Sequence, residues 1–140
     1  MPVIVNHSLA DVKNGMAAYN PGSVLIQIVD PGAEFPEPKY PYHEVHRFEF
    51  LDADEDQPAL ADFLITEEQA SKIVAILVKA LDEDRMVVVH CVAGLCRSGA
   101  VVEVGTIMGF EDPRRIRHPN IYVKRMLIRA LGKYWDQQDA

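Results

Sequence analysis

The sequence predicts an α/β fold: a small central sheet, largely parallel, flanked by helices on both faces. Two observations predict it. Short apolar runs, among them 24–29 and 86–89, alternate along the chain with stretches of helical periodicity. One such stretch, residues 100–108, is apolar almost all round, which marks a helix buried at the centre of the fold.

Each element has its own grounds. Val3, Ile4 and Val5 open the chain as a short strand, and Ser8 stands where it caps a helix over 9–16. Asn20-Pro21-Gly22 marks a turn. Residues 24–29 form a strand closed by the turn signal Asp30-Pro31-Gly32. Pro36, Pro38 and Pro41 keep 35–42 out of regular structure and make it a surface loop. Residues 45–51 alternate well enough for a third strand, and an acidic loop runs from Asp52 to about Ile65. Thr66 followed three residues later by Gln69 is a capping box. It opens a helix with Ala70, Ile73, Val74, Leu77, Val78 and Leu81 on its apolar face. Residues 86–89 form the strand that feeds a reactive loop. Pro119 and Asn120 open a last helix, with Val123, Met126, Leu127, Ala130 and Leu131 inward and Gly132 near its end.

Bulk properties narrow the class. A chain of 140 residues with 49% hydrophobic and 25% charged content reads as one domain over 1–140. No stretch approaches the roughly 20 apolar residues that span a bilayer. The first residues lack the basic start and apolar core of a signal peptide, so cytoplasmic residence is the expectation. Two cysteines in one loop fit a reducing compartment. A net charge of −7 argues against nucleic acid or an anionic membrane as a partner.

The chemistry concentrates in His90-Cys91-Val92-Ala93-Gly94-Leu95-Cys96-Arg97-Ser98-Gly99. Five residues between Cys91 and Arg97 close a tight loop, Val92 to Cys96, whose backbone N–H groups turn toward one anion. The helix that follows adds its positive end to the same point. A thiol there ionises readily, because helix N-termini and arginine lower a cysteine pKa from about 8.5 to roughly 3.5–7.5. Arg97 offers a planar fork for two phosphate oxygens, and Ser98 a hydrogen bond to the thiolate. Together they read as a phosphate-binding loop with a built-in nucleophile.

His90, Cys91, Gly94, Arg97, Ser98 and Gly99 resemble the signature of cysteine-dependent protein tyrosine and dual-specificity phosphatases. The Val29-Asp30-Pro31-Gly32 turn, Phe50-Leu51-Asp52 and Pro119-Asn120 are most similar to its small bacterial and phage-type members. The resemblance implies that family's fold and a phosphomonoesterase working through a phosphocysteine, with no metal and no cofactor. It implies a phosphorylated protein or small phosphoester as substrate. Relatives supply the general acid from an Asp on a loop after a strand. Matched to the WPDxxxP pattern, the acid falls on Asp54 and the proline on Pro58, without the Trp; Asp52 and Asp56 remain alternatives, and Asp62 lies in the same loop. The resemblance gives Asn120 the role of bracing the phosphate loop, while Met126 stands where the family usually has Gln. His90 is expected to orient the loop rather than to transfer protons. Low-molecular-weight tyrosine phosphatases share the Cys-x4-Cys-Arg-Ser arrangement, which implies a redox disulfide between Cys91 and Cys96.

Other readings stay open. Pro41-Tyr42-His43 either walls the pocket or belongs to a surface loop. His43 and His46 read as surface histidines, with no Cys or acidic partner to complete a metal set. Related loops that take phosphoinositides tend to carry Lys or Arg between the Cys and the Arg, so the resemblance disfavours lipid phosphates here, where 92–96 are uncharged. The alternatives are a catalytically inactive phosphate-binding module, or an RNA 5'-phosphatase served by Arg114, Arg115 and Arg117. A rhodanese or arsenate reductase is disfavoured by His90, Gly94 and Pro119-Asn120.

Overall fold

In the computed structural model, which describes residues 1–139, four strands pair side by side: β1 (Ile4–Ser8), β2 (Val24–Val29), β3 (Glu44–Glu49) and β4 (Val87–Cys91). Every pairing is parallel, and the order is β1-β4-β2-β3. Ser8 stands opposite Cys91, and Gln27 opposite His90. The sheet is thus wholly parallel, with β4 between two neighbours. That position suits its uninterrupted apolar run, because interior strands of parallel sheets are covered on both faces.

Alternation along the strands divides the core. Val24, Ile26, Ile28, Val87, Val89 and Cys91 face the larger cluster, with Ile73, Leu77, Val101 and Leu127 from the helices. Leu25 and Val88 face the smaller one, with Val12, Ala17 and Tyr42. Each Ile, Leu or Val fully withdrawn from water stabilises the fold by about 1.5–3 kcal/mol. The first cluster is roofed by α2 (Glu67–Asp82), α3 (Arg97–Met108) and α4 (Ile121–Asp139), the second by the short α1 (Leu9–Lys13). No helix among the described residues is long and apolar enough to cross a membrane.

Local signals behave as their chemistry dictates, with corrections of extent. Ser8 caps α1 by accepting from the Asp11 amide at 3.1 Å, but the helix ends at Lys13. The Thr66 hydroxyl accepts from Gln69 N at 3.1 Å, and Gln69 Oε1 accepts from Thr66 N at 2.9 Å. Gln69 Nε2 also donates to the Glu49 carbonyl at 3.0 Å, which ties the start of α2 to the end of β3. The acidic loop holds one 3-10 segment, Pro58–Phe63. α4 runs past Gly132 to Asp139, since one glycine costs a long helix only about 1 kcal/mol. Tyr42 is buried rather than on a surface loop: its hydroxyl donates to the Ala18 carbonyl at 2.9 Å. It precedes the amino end of β3, opposite to where β4 ends, so it does not wall the reactive loop.

Candidate active site

β4 delivers Cys91 to the carboxyl edge of the sheet, and α3 begins six residues later at Arg97. The loop between them is held by its carbonyls. Val92 O accepts from Leu9 N at 3.2 Å, Leu95 O from His118 N at 3.0 Å, and Cys96 O from Asn120 N at 2.9 Å. Gly94 O accepts from Asn6 Nδ2 at 2.8 Å, and the same amide reaches Ile116 O at 3.1 Å. With these carbonyls drawn outward, the Gly94 and Ser98 amides turn to the Cys91 sulfur, the arrangement on which an anion-binding nest is built. Gly94 makes the turn possible: its φ is +77°, and a Cβ there would lie 2.6 Å from His7 C and Ser8 N.

Cys91 is 2% exposed, and Ser98 Oγ lies 3.2 Å from its sulfur, placed to donate to the thiolate. Burial is the largest influence on this thiol and pushes its pKa up. The Ser98 hydroxyl, the Ser98 and Gly94 amides and the Arg97 guanidinium together outweigh it, and the pKa lies below the ordinary thiol value. His90 points to the other face of the sheet. Burial drives its pKa down to about 4, so it stays neutral, with Nδ1 3.4 Å from the Cys91 carbonyl.

Arg97 is 4% exposed. Its Nη1 donates to Asp30 Oδ1 at 2.7 Å and to the Phe50 carbonyl at 2.8 Å, each at the end of a neighbouring strand. Its Nε is buried without a partner. A buried donor without an acceptor costs about 1–3 kcal/mol, and an anion seated at the loop centre would remove that cost.

The acidic loop docks on Asn120. That residue's amide donates to Asp52 Oδ1 at 2.7 Å and to the Ala53 carbonyl at 3.3 Å, while its Oδ1 caps α4 by accepting from Val123 N at 2.9 Å. Asn120 thus joins the acidic loop to the 92–96 loop through its side chain and its backbone. Asp52 also reaches Cys96, whose pKa is raised by burial first and by the Asp52 carboxylate second. Asp54 is turned elsewhere, accepting from the Asp56 amide at 2.9 Å in a local turn. Cys91, Arg97, Ser98, Cys96, Asn120 and Asp52 are therefore brought together, while Asp54 lies in the same acidic loop with its Oδ1 turned to the Asp56 amide.

Sequence reading missed two residues. Asp30 passed for a turn former, although an acid at the carboxyl end of an apolar strand in an α/β sheet lies where ligands bind. Asn6 is 2% exposed, and the signal was a lone amide amid strand residues. The histidine pair also needs correcting. His43 does have acidic neighbours, Glu44 and Glu83, with ligand atoms within 4.8 Å of one another. Glu44 is engaged by His46 at 2.8 Å and Lys79 at 3.0 Å, and Glu83 by Arg85 at 2.7 Å. This cluster lies at the amino end of β3, away from Cys91.

With this geometry in hand, comparison with known proteins bears on the fold. Human tyrosine phosphatase-like serine/threonine/tyrosine-interacting protein superposes with a TM-score of 0.64 at 16% identity, covering 96% of this chain and 95% of that one. Human DUSP28 superposes at 0.63 with 18% identity over 98% and 96%. A mouse protein described as a dual-specificity phosphatase, in complex with zinc tungstate, gives 0.54 at 19% over 84% and 75%. No family description matches the chain, and no curated protein sequence does. The chain has the fold of the tyrosine and dual-specificity phosphatases.

Proposed function

We propose that this chain is a phosphomonoesterase of the protein tyrosine or dual-specificity type, acting without a metal through a phosphocysteine. The observation that carries the reading is Arg97: one nitrogen is anchored, and its Nε–H is buried without a partner near an acidified thiol. A phosphoryl group supplies the missing acceptors, and the loop amides take its remaining equatorial oxygen. Cys91 Sγ attacks phosphorus; the bond to the leaving oxygen breaks as a carboxylic acid gives that oxygen its proton. The carboxylate then takes a proton from water, whose oxygen bonds to phosphorus while the S–P bond breaks, and Ser98 stabilises the departing thiolate. Asp52 is the better candidate for that acid, since Asn120 holds it at the edge of the loop, whereas Asp54 is engaged by Asp56.

Para-nitrophenyl phosphate hydrolysis under reductant and EDTA tests this. The expected result is activity in the wild type, none in Cys91→Ser, a loss of about 10²–10⁴-fold in Asp52→Asn, and near-normal rates in Asp54→Asn. A large loss in Asp54→Asn alone moves the acid there. An inactive wild type at acidic and neutral pH overturns the reading in favour of a phosphate-binding module.

The same reading gives Cys96 a protective part and favours a reducing compartment such as the cytoplasm. Peroxide converts the Cys91 thiolate to a sulfenic acid, and the Cys96 thiol then attacks that sulfur, forming a disulfide and releasing water. Cys96, with its raised pKa, is the less readily oxidised of the two, which sets the order of events. Mass mapping after peroxide is expected to find a Cys91–Cys96 bond; sulfonic acid at Cys91 without that bond refutes it.

A further inference from the structure

Residues 49–56 carry Glu49, Asp52, Asp54, Glu55 and Asp56, and no Lys or Arg. Among the described residues only Glu55 of these meets a cation, Arg125 at 2.8 Å. Glu49 accepts from Gly32 N, Asp52 from the neutral Asn120 amide, and Asp54 from a backbone N–H. Asp56 makes no ion pair among the described residues. The loop is fixed beside the phosphate loop, because Asn120 bonds both Asp52 and the Cys96 carbonyl. On the other side, Arg115 is committed to the Asn6 carbonyl and Arg117 to Asp112 and Glu103. Arg114 alone there makes no ion pair among the described residues.

Two opposing demands meet at this site. The buried, unpartnered Nε–H of Arg97 leaves a place for an acceptor, which a phosphate oxygen fills. Asp54 and Asp56, on the loop that Asn120 holds beside residues 92–96, make no ion pair among the described residues and repel further negative charge. A single phosphate surrounded by positive charge satisfies both. A peptide meets the condition, since it can set cations on either side of the phosphorylated residue.

We propose that the 52–56 loop selects phosphorylated peptides with Lys or Arg flanking the phosphoresidue. The inference rests on the phosphatase reading and adds the charge of the substrate around its phosphate. It is tested by fluorescence anisotropy on Cys91→Ser protein, which holds substrate without turning it over. Phosphotyrosine and phosphothreonine peptides of one sequence are compared with basic, neutral and acidic flanks. The expected result is affinity about tenfold tighter for basic than for neutral flanks in at least one phosphoresidue series, a gap that closes as salt rises. Adding Asp54→Asn, Glu55→Gln and Asp56→Asn together is expected to narrow it. Equal affinities, or a preference for acidic flanks, overturn the inference; if the wild type still hydrolyses para-nitrophenyl phosphate, the phosphatase reading survives. Binding of no peptide, with no hydrolysis, overturns both.

Discussion

Arg97 Nη1 is committed to two acceptors from neighbouring strands, Asp30 Oδ1 and Phe50 O, so the side chain is aimed before any ligand arrives. An arginine left free at that point would lose rotamer entropy on binding, and preorganisation removes that cost. Asp30→Ala is accordingly expected to lower kcat/KM about 10–100-fold, with weaker inhibition by inorganic phosphate. Asp30→Asn, whose amide oxygen still accepts, is expected to keep most of the activity. Steady-state kinetics on the two variants read this directly, and equal rates for Asp30→Ala and wild type refute it. At this scale legibility follows sequence distance. Cys91, Arg97 and Ser98 belong to one short run, and their meeting could be read from spacing alone. Asp30, Asn6 and the contrast between Asp52 and Asp54 depend on where remote segments land, which no local pattern records.

Elements were more legible than the contacts between them. The Thr66–Gln69 box and the β2 run over 24–29 are set by neighbours within a few residues, and both were readable. The end of α4 was not, because its inward positions carry the helix past Gly132 against that residue's own preference. The loop over 92–96 shows why an element's shape depends on what lies against it. Gly94 has a left-handed backbone and sits on the β1–α1 junction, with no room for a methyl beside His7 and Ser8. Gly94→Ala is expected to cost at least about 1–2 kcal/mol from the backbone conformation alone. It is also expected to displace the loop, so that activity falls further than stability does. Thermal unfolding and kinetics on the same variant separate the two effects; a variant with normal kcat refutes this account of the loop.

His90 gives the whole molecule one acid-sensitive step. Its pKa in the fold is about 4, against 6.5 for an ordinary histidine, because burial penalises the charged ring. As pH falls, the unfolded chain takes up this proton first. Its contribution is therefore full above about pH 6.5 and is lost as pH drops toward about 4, at up to about 1.4 kcal/mol per pH unit. Urea unfolding across that interval is expected to show the slope in the wild type and a shallower one in His90→Asn; parallel slopes refute it. The fold class was legible because alternation of strands and helices is a whole-chain property. Sheet order was not, since it rests on which strands pair, β4 with β1 and β2 and β2 with β3, and no local pattern records that. That order has a consequence in time. The bonds that aim Arg97 join residues 67 and 47 positions apart, and Asn6 reaches Gly94 across 88. Contacts so distant in sequence close late in folding. The 91–98 run alone thus carries the thiol and the guanidinium, and the grip that aims the guanidinium comes only with the assembled sheet.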